Sequence, residues 1–339
     1  MSSENYEQGK KDVSVILAIR NEEEYIRKCI DSLIDQSFPH ERYEIIIVDG
    51  MSNDNTRKII REYQVKFPDF VRTLDNPKIT TATGRNLGIK HAIGKMVVIF
   101  SGHACADGEY LNTLIKTFDG LPPDVVGVGG VHHAPEDETL LGKIIAEVQN
   151  TLMGGGGTSY KKRDKISYVD TTAFVAYKKE IIEKIGLNDE SLPFADDLDL
   201  NWRLRKAGFK LMVTPDAKVY YYRKYSSLKL FPPRIYAYAL WEAILMKKHP
   251  TFFKIPFLIP VVMLLSVILL PVFTFIYFPL AEIILFGFVI YFAAVLTMSS
   301  YLVIRHRNIK YLISVLVYVI EHFSFGAGFL VGLFKKIPQ

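Results

Sequence analysis

Two apolar runs separated by a helical pattern open the chain. Val13-Ser-Val-Ile-Leu-Ala is a buried-strand run that gives way to polar positions at Ile19-Arg20-Asn21-Glu22. Tyr25, Ile26, Cys29, Ile30, Leu33 and Ile34 then recur at spacings of three and four, which predicts an amphipathic helix. Tyr43-Glu-Ile-Ile-Ile-Val is a second strand and runs into Asp49-Gly50-Met51-Ser52-Asn53-Asp54. Strand, helix and strand at this length make a parallel crossover. Ligands of such a unit sit beyond the carboxyl ends of the strands. Arg20 and Glu22 stand at the first of these ends and Asp49 at the second. Neither GxGxxG nor GxxxxGK[ST] follows the first strand, so a nucleotide here is expected to be held by side chains that read base and ribose.

The alternation continues. Helices are expected over 56–67, 80–93, 109–118, 140–152, 179–185 and 200–207, and strands over 71–74, 96–100, 125–131, 168–177, 209–214 and 217–222. This predicts an α/β sandwich domain over residues 12–225. Residues 1–11 are polar, read as disordered, and lack the apolar core of a signal peptide, so this end is expected in the cytosol. Residues 226–253 are aromatic and basic (Tyr236, Tyr238, Trp241, Lys247, Lys248) and suit an interfacial amphipathic helix, although a helix packed on a soluble domain has the same pattern.

Residues 254–339 form an apolar region with two or three membrane helices, the candidates being 255–280, 283–304 and 311–334. Glu321 and His322 interrupt the third, and Gly326, Gly328 and Gly332 follow. Such a pair is expected to face protein, water or a lipid headgroup. Lys247, Lys248 and Lys254 flank the first segment, while Arg305, Arg307 and Lys310 follow the second. The positive-inside rule then places the soluble domain in the cytosol, makes the first two segments a hairpin and leaves the third either spanning or re-entrant.

Composition narrows the classes. The 339 residues are 49% hydrophobic, which fits a membrane-attached protein, and the net charge of +5 comes without the dense Lys/Arg block that nucleic-acid binding needs. Two cysteines give neither a metal spacing nor a disulfide framework, and Cys29 falls on the apolar stripe of the first helix.

Four places carry candidate chemistry. Asp49 can cap the turn that follows it or hydrogen-bond a base. Arg85, on a helix, can fork onto phosphate oxygens or pair with a surface carboxylate. Ser101-Gly102-His103 ends a strand; His103 can be a satisfied structural residue or can ligate a divalent metal bridging a diphosphate, which needs few protein ligands there, and its imidazole tilts the choice toward Mn²⁺ over Mg²⁺. Asp196-Asp197, followed by Asp199, can cap a helix, or one acid can raise its neighbour's pKa and create a general base.

In this order the pieces resemble the family 2 glycosyltransferases with the GT-A fold, a nucleotide-sugar-binding, Rossmann-like domain, over about residues 12–225. The carrying stretches are Val13-Ser-Val-Ile-Leu-Ala-Ile-Arg-Asn-Glu-Glu-Glu-Tyr-Ile, Ile47-Val48-Asp49-Gly50-Met51-Ser52-Asn53-Asp54, Thr83-Gly84-Arg85-Asn86-Leu87-Gly88 and Asp196-Asp197. Asp75-Asn76-Pro77, Gly154–Tyr160, Tyr168-Val169-Asp170-Thr171 and the Leu200–Gly208 stretch are similar to the succinoglycan-biosynthesis ExoA-like branch, whose members also tend to carry C-terminal hydrophobic segments. The resemblance implies an inverting, membrane-bound transferase that moves a sugar from a nucleotide-diphosphate sugar, with a UDP-sugar favoured and GDP open, to a hydroxyl of a lipid-linked glycan. Ala18, Arg20, Glu22, Asp49, Arg85, Ser101 and Gly102 would bind the nucleotide-sugar. Gly156, Thr158, Asp170 and Asp196 would line the acceptor side. Asp197 would be the catalytic base and His103 the ligand of a divalent metal, Mn²⁺ or Mg²⁺. The family's Asp-x-Asp metal motif reads Ser101-Gly102-His103 here, so its first carboxylate is lost. No Gln-x-x-Arg-Trp follows the acidic pair, which argues against a processive synthase. Two other readings remain: a polyprenyl-phosphate sugar synthase, and a silent sugar-nucleotide-binding membrane scaffold.

Overall fold

The computed structural model describes residues 11–155, 164–252 and 254–337. The expected disordered segment therefore lies, up to residue 10, outside the described residues, as do Gly156 and Thr158. Two compact units emerge. The first takes residues up to Pro135 and those from the second described segment up to Tyr222; the second takes Glu136 to Gly155 and the chain from Arg223 onward. A single break at residue 225 does not describe this division, because the segment after Glu136 folds with the C-terminal helices.

The first unit is built on a mixed sheet. Its parallel half contains β1 (Val13–Ile19), β2 (Tyr43–Asp49), β3 (Val71–Asp75) and β4 (Met96–Phe100), in the order β3-β2-β1-β4. Every residue of β2 is buried, as a strand covered on both faces requires. The crossovers are α1 (Ile26–Ile34), α2 (Thr56–Lys66) and α3 (Thr81–His91). Ile26, Cys29, Ile30 and Leu33 are the buried face of α1, so the spacing-derived stripe is the packed one. Thr80 caps α3, its side chain accepting from Thr83 N at 3.3 Å.

Beyond β4 the sheet turns mixed. It uses β5 (Ala104–Ala106), β6 (Val125–His133), β7 (Ser167–Val169), β8 (Val175–Lys178) and β9 (Lys210–Tyr221). β8 runs antiparallel between β4 and β6, β9 lies parallel to β6, and both β5 and β7 pair antiparallel with β9. The helices here are α4 (Tyr110–Asp119), α6 (Lys179–Ile185) and α7 (Asp196–Lys206), with α5 (Leu140–Gln149) assigned to the second unit.

Three boundaries differ from the sequence pattern. The expected strand over 168–177 is two strands, because Phe174 adopts φ 48° and the chain changes partners from β9 to β4 and β6. The strands expected at 209–214 and 217–222 are one, β9, which stays paired with β6 through a register shift between Gly130 and Val131. Helix α7 starts at Asp196, so the acidic pair lies in its first turn. No side chain caps it, and Asp196, Asp197 and Asp199 face its positive end.

In the second unit α5 is joined by α8 (Phe231–Lys248), α9 (Leu258–Ile276), α10 (Phe278–His306) and α11 (Ser314–Phe334). Three segments, Ile255–Ile276, Phe278–His306 and Ile309–Phe334, are long and apolar enough to cross a membrane. The first two are separated only at Tyr277, with Pro279 opening α10. Against α8, the helix of the aromatic and basic stretch, α11 packs through its glycines. A Cβ at Gly328 would stand 2.1 Å from Tyr236 O, and one at Gly332 would stand 2.5 Å from Leu240 O. Glu321 Oε1 accepts from Gly155 N at 3.0 Å, and His322 reaches Met153 O at 2.8 Å and Tyr291 OH at 2.9 Å. The interrupting pair thus faces protein and holds the end of the α5 segment.

Candidate active site

The carboxyl ends of the parallel strands carry three of the five non-glycine positive-φ residues described in the first unit. Asn21 (φ 53°), Met51 (φ 58°) and Ile79 (φ 71°) all occupy the left-handed region without being glycine. Such conformations persist only where the surroundings over-determine them. Here they follow β1, β2 and β3 in turn.

Asp49 ends β2 and is buried. It accepts from Ser52 twice, from the backbone N–H at 3.0 Å and from the hydroxyl at 2.5 Å, and Arg57 Nε lies 3.4 Å away. Arg57 also pairs with Asp75 at 2.5 Å. A cavity of about 250 Å³ opens here, lined by Asp49, Arg57, Arg61, Gln64, Thr73 and Asp75. Ala18 is the penultimate residue of β1, opposite Val48, and Arg20 beyond it is exposed.

Glu22, Ser101, Gly102 and His103 meet. His103 Nδ1 lies 2.9 Å from Glu22 Oε1, and Nε2 lies 3.1 Å from Tyr221 OH, with Ser101 Oγ at 3.3 Å from the ring. Gly102 admits this pairing, since a Cβ there would stand 2.7 Å from Ile19 Cγ2 and 3.0 Å from Glu22 Cγ. Tyr221 was not visible as a site residue in the sequence. Its only signal is the Tyr220-Tyr221-Tyr222 run, and the pairing of β9 with β5 is what brings it to His103.

Arg85, Asp196 and Asp197 form the second group. Arg85 Nη1 donates to Asp196 Oδ2 at 2.8 Å. Burial pushes the Asp196 carboxyl up to about 6; Arg85 pulls it back and the charge of Asp197 raises it again. Burial opposes the charge of Arg85, yet Asp196 and Asp197 hold its guanidinium above its ordinary value. Asp197 is half-buried and accepts from Leu198 N at 2.9 Å. Asp199 is fully buried on Arg203 at 2.7 Å, and Arg203 in turn donates to the carbonyls of Ile185 and Leu187. Asn86 fixes the loop before α7, donating to Asn188 O at 2.9 Å and accepting from Asn188 N at 2.9 Å. Asp170 lies 3.3 Å from Arg205.

Among the described residues no three His, Cys, Asp or Glu side chains converge as a metal cage. The donor set at His103 fits a different kind of site. With Nδ1–H held by Glu22, Nε2 is the atom that would ligate a divalent ion, in the usual carboxylate–histidine arrangement, and the Tyr221 hydroxyl at 3.1 Å would have to give up that position.

Known proteins add the following. The family model described as glycosyl transferase family 2 matches residues 14–186. A dolichyl N-acetyl-alpha-D-glucosaminyl phosphate 3-beta-D-2,3-diacetamido-2,3-dideoxy-beta-D-glucuronosyltransferase from Methanococcus voltae is 29% identical over 331 residues, covering 95% of this chain and 97% of that protein. Succinoglycan biosynthesis protein ExoA of Rhizobium meliloti is 25% identical over 219 residues, 64% of this chain and 65% of that protein. Among solved structures, the mannosyltransferase PcManGT from Pyrobaculum calidifontis in complex with GDP-Man and Mn²⁺ superposes with a TM-score of 0.61 at 18% identity, covering 98% of this chain and 92% of that one. That likeness extends through the C-terminal helices and concerns the fold.

Proposed function

Because the chain belongs to glycosyl transferase family 2, we propose that it is an inverting transferase that moves a sugar from a nucleotide-diphosphate donor to a hydroxyl of a lipid-linked glycan, with its first unit in the cytosol. The observation that carries this reading is the Arg85–Asp196–Asp197 group at the start of α7. Arg85 fixes one acid in an ion pair, so Asp197, the half-buried neighbour, is the one free to take a proton. Three apolar helices and a 29%-identical relative whose name specifies a dolichyl-phosphate-linked acceptor support the lipid.

The steps follow from these residues. Asp49 hydrogen-bonds the base, while the β1 end at Ala18, Arg20 and Glu22 lines the nucleotide. Asp197 removes the proton of the acceptor hydroxyl, whose oxygen attacks the anomeric carbon from the face opposite the leaving group. The carbon–oxygen bond to the diphosphate breaks, and its electron pair leaves with the phosphate. His103, oriented by Glu22, would hold a divalent ion, which when bound supplies positive charge beside the diphosphate. Arg85, charged throughout, faces the acids and lowers the local cost of that developing charge. Asp170 and Asp196, together with Gly156 and Thr158, are assigned to the acceptor side.

The test is nucleoside diphosphate release by the purified chain in detergent, with a panel of UDP- and GDP-sugars, lipid-linked acceptors and free polyprenyl phosphate. Release that requires a glycan-bearing lipid, and that Asp197→Asn lowers by about 10²–10⁴ while nucleotide affinity holds, is the expected result. Release on polyprenyl phosphate that survives Asp197→Asn would overturn the hydroxyl acceptor and the base together.

A further inference from the structure

We infer that the chain crosses the bilayer twice, as the α9–α10 hairpin, and that α11 does not cross. It starts and ends on the side from which the hairpin enters, and lies with α8 on that face of the membrane. Length and hydropathy alone allow three crossings. The contacts inside the helical unit allow two.

The first observation is where α11 meets the ends of its neighbours. α9 and α10 double back at Tyr277. The Tyr291 hydroxyl of α10 lies 2.9 Å from His322, and one turn later a Cβ on Gly326 would collide with Pro260 O in the first turn of α9. The Phe257 ring, just before α9, lies 6.0 Å from Phe325 and 5.7 Å from Phe329. From Pro260 to Tyr277 a helix rises about 25 Å, close to a hydrocarbon thickness of about 30 Å. The second half of α11 therefore begins at the base of the hairpin. From there it follows α8: Gly328 closes on Tyr236 O and Gly332 on Leu240 O, so the two helices run parallel. The Lys247 ammonium then donates to Leu333 O at 3.1 Å and to Lys335 O. Lys247 leads into α9 through two short turns, Pro250–Phe252 and Ile255–Phe257. Such turns rise only about 2.0 Å per residue, too little to cross hydrocarbon over this connection. The end of α11 is thus held where α9 enters. Its beginning is tied to the end of α10, with the His306 and Tyr311 rings stacked at 4.2 Å. A hairpin that crosses and returns brings that end back to the entry side, so both ends of α11 share it.

The second observation is what covers the first half of α11. Thr151 Oγ1 lies 2.8 Å from Tyr318 OH, Met153 O 2.8 Å from His322 Nε2, and Gly155 N donates to Glu321 at 3.0 Å. A crossing α11 would carry this irregular segment into the hydrocarbon, where non-helical backbone is excluded unless protein surrounds it. Burial agrees: 39% of the apolar window of Ile309–Phe334 is buried, against 11% in each helix of the hairpin. The hairpin is bare enough to face lipid all round. α11 is packed on protein and keeps Leu316, Val331 and Phe334 exposed, an apolar margin that fits the headgroup boundary of a bilayer. Lys335 and Lys336 then share one side with Lys247, Lys248, Arg305 and Lys310, in keeping with the positive-inside rule.

The test is cysteine labelling of the full-length chain in right-side-out vesicles of the expression host, with a membrane-impermeant maleimide applied before and after permeabilisation. Tyr277, Lys310 and Lys336, all exposed, are changed singly to cysteine, and the unaltered chain gives the background from Cys29 and Cys105. Lys336→Cys should label together with Lys310→Cys and apart from Tyr277→Cys, whichever way round the chain inserts. Every other grouping overturns the inference: Lys336→Cys with Tyr277→Cys makes α11 a crossing helix, and all three together means that the hairpin does not cross. Labelling needs no turnover, so its outcome is independent of the transferase reading.

Discussion

Two regions of this molecule bury ionisable groups, and they settle them differently. At the start of α7, Asp196 faces a cation, Arg85, and a second acid, Asp197. In the helical unit, Glu321 and His322 are answered by Gly155 N–H, Met153 C=O and Tyr291 OH. The first arrangement leaves charge in play beside a half-buried carboxylate. The second spends its polar groups on hydrogen bonds to the backbone and to one hydroxyl, which ties α10, α11 and the end of the α5 segment together. Buried charge that is only partly balanced is where pKa values move and proton transfer becomes available. Buried polar groups hydrogen-bonded to backbone and hydroxyl partners hold an apolar bundle in one arrangement.

The sharpest way to break this contrast is Arg85→Met. It removes the cation paired with a carboxylate that is 3% exposed, so unfolding should become easier by about 3–5 kcal/mol, read by denaturant titration. A loss under about 1 kcal/mol would mean that the pair behaves as a surface contact.

The pH dependence comes next. Asp196 titrates near 6 in the fold against an ordinary 3.8, with Arg85, Asp197 and Tyr177 as the charged or titratable groups around it. The native state holds this proton more tightly than the unfolded chain. Its contribution to stability is therefore fully present below the ordinary value and is lost as pH rises through about 6. Activity should run the other way. Acidification through about 6 neutralises the partner of Arg85, so transfer should fall there while this group does not lower the melting point. Asp196→Asn should flatten that acid limb, and a limb unchanged in Asp196→Asn would assign it to another group.

In the helical unit, Glu321→Leu should cost about 1–3 kcal/mol by removing the carboxylate that accepts from the Gly155 N–H, whereas Glu321→Gln, which keeps an acceptor, should recover most of it. If Gln and Leu behave alike, the charge of Glu321 matters rather than its hydrogen bond. The smallest expected effect is Thr80→Ala. Loss of the α3 cap should lower stability by about 1 kcal/mol without altering the acid limb, because Arg85 and Asp196 are untouched.

Much of the first unit was legible from hydrophobic periodicity. Strands buried on both faces read as unbroken apolar runs, and α1 displays its core stripe at spacings of three and four. The strand after Tyr168 and the two pieces of β9 were harder, because partner exchange and register shifts are decided across the sheet, where local pattern carries no record. The site was legible in the same uneven way. Asp49, His103 and the Asp196-Asp197 pair stand at element ends that sequence alone marks. The partners that give them meaning, Arg57 for Asp49, Glu22 and Tyr221 for His103, and Arg85 for Asp196, come from other strands and helices.

By itself the sequence determined the α/β alternation, the family, the apolar C-terminal quarter and the residue types at each strand end. Those depend on local spacing and on transfer of side chains from water, which neighbouring residues settle. Only the tertiary structure decided that α7 begins on its acids, that Glu321 and His322 grip the α5 segment, and that Asp49 is held by Ser52 beside Arg57. Each of these is set by groups far apart in the chain, or by the hydrogen-bond geometry of a folded turn, and burial makes leaving such groups unmatched costly.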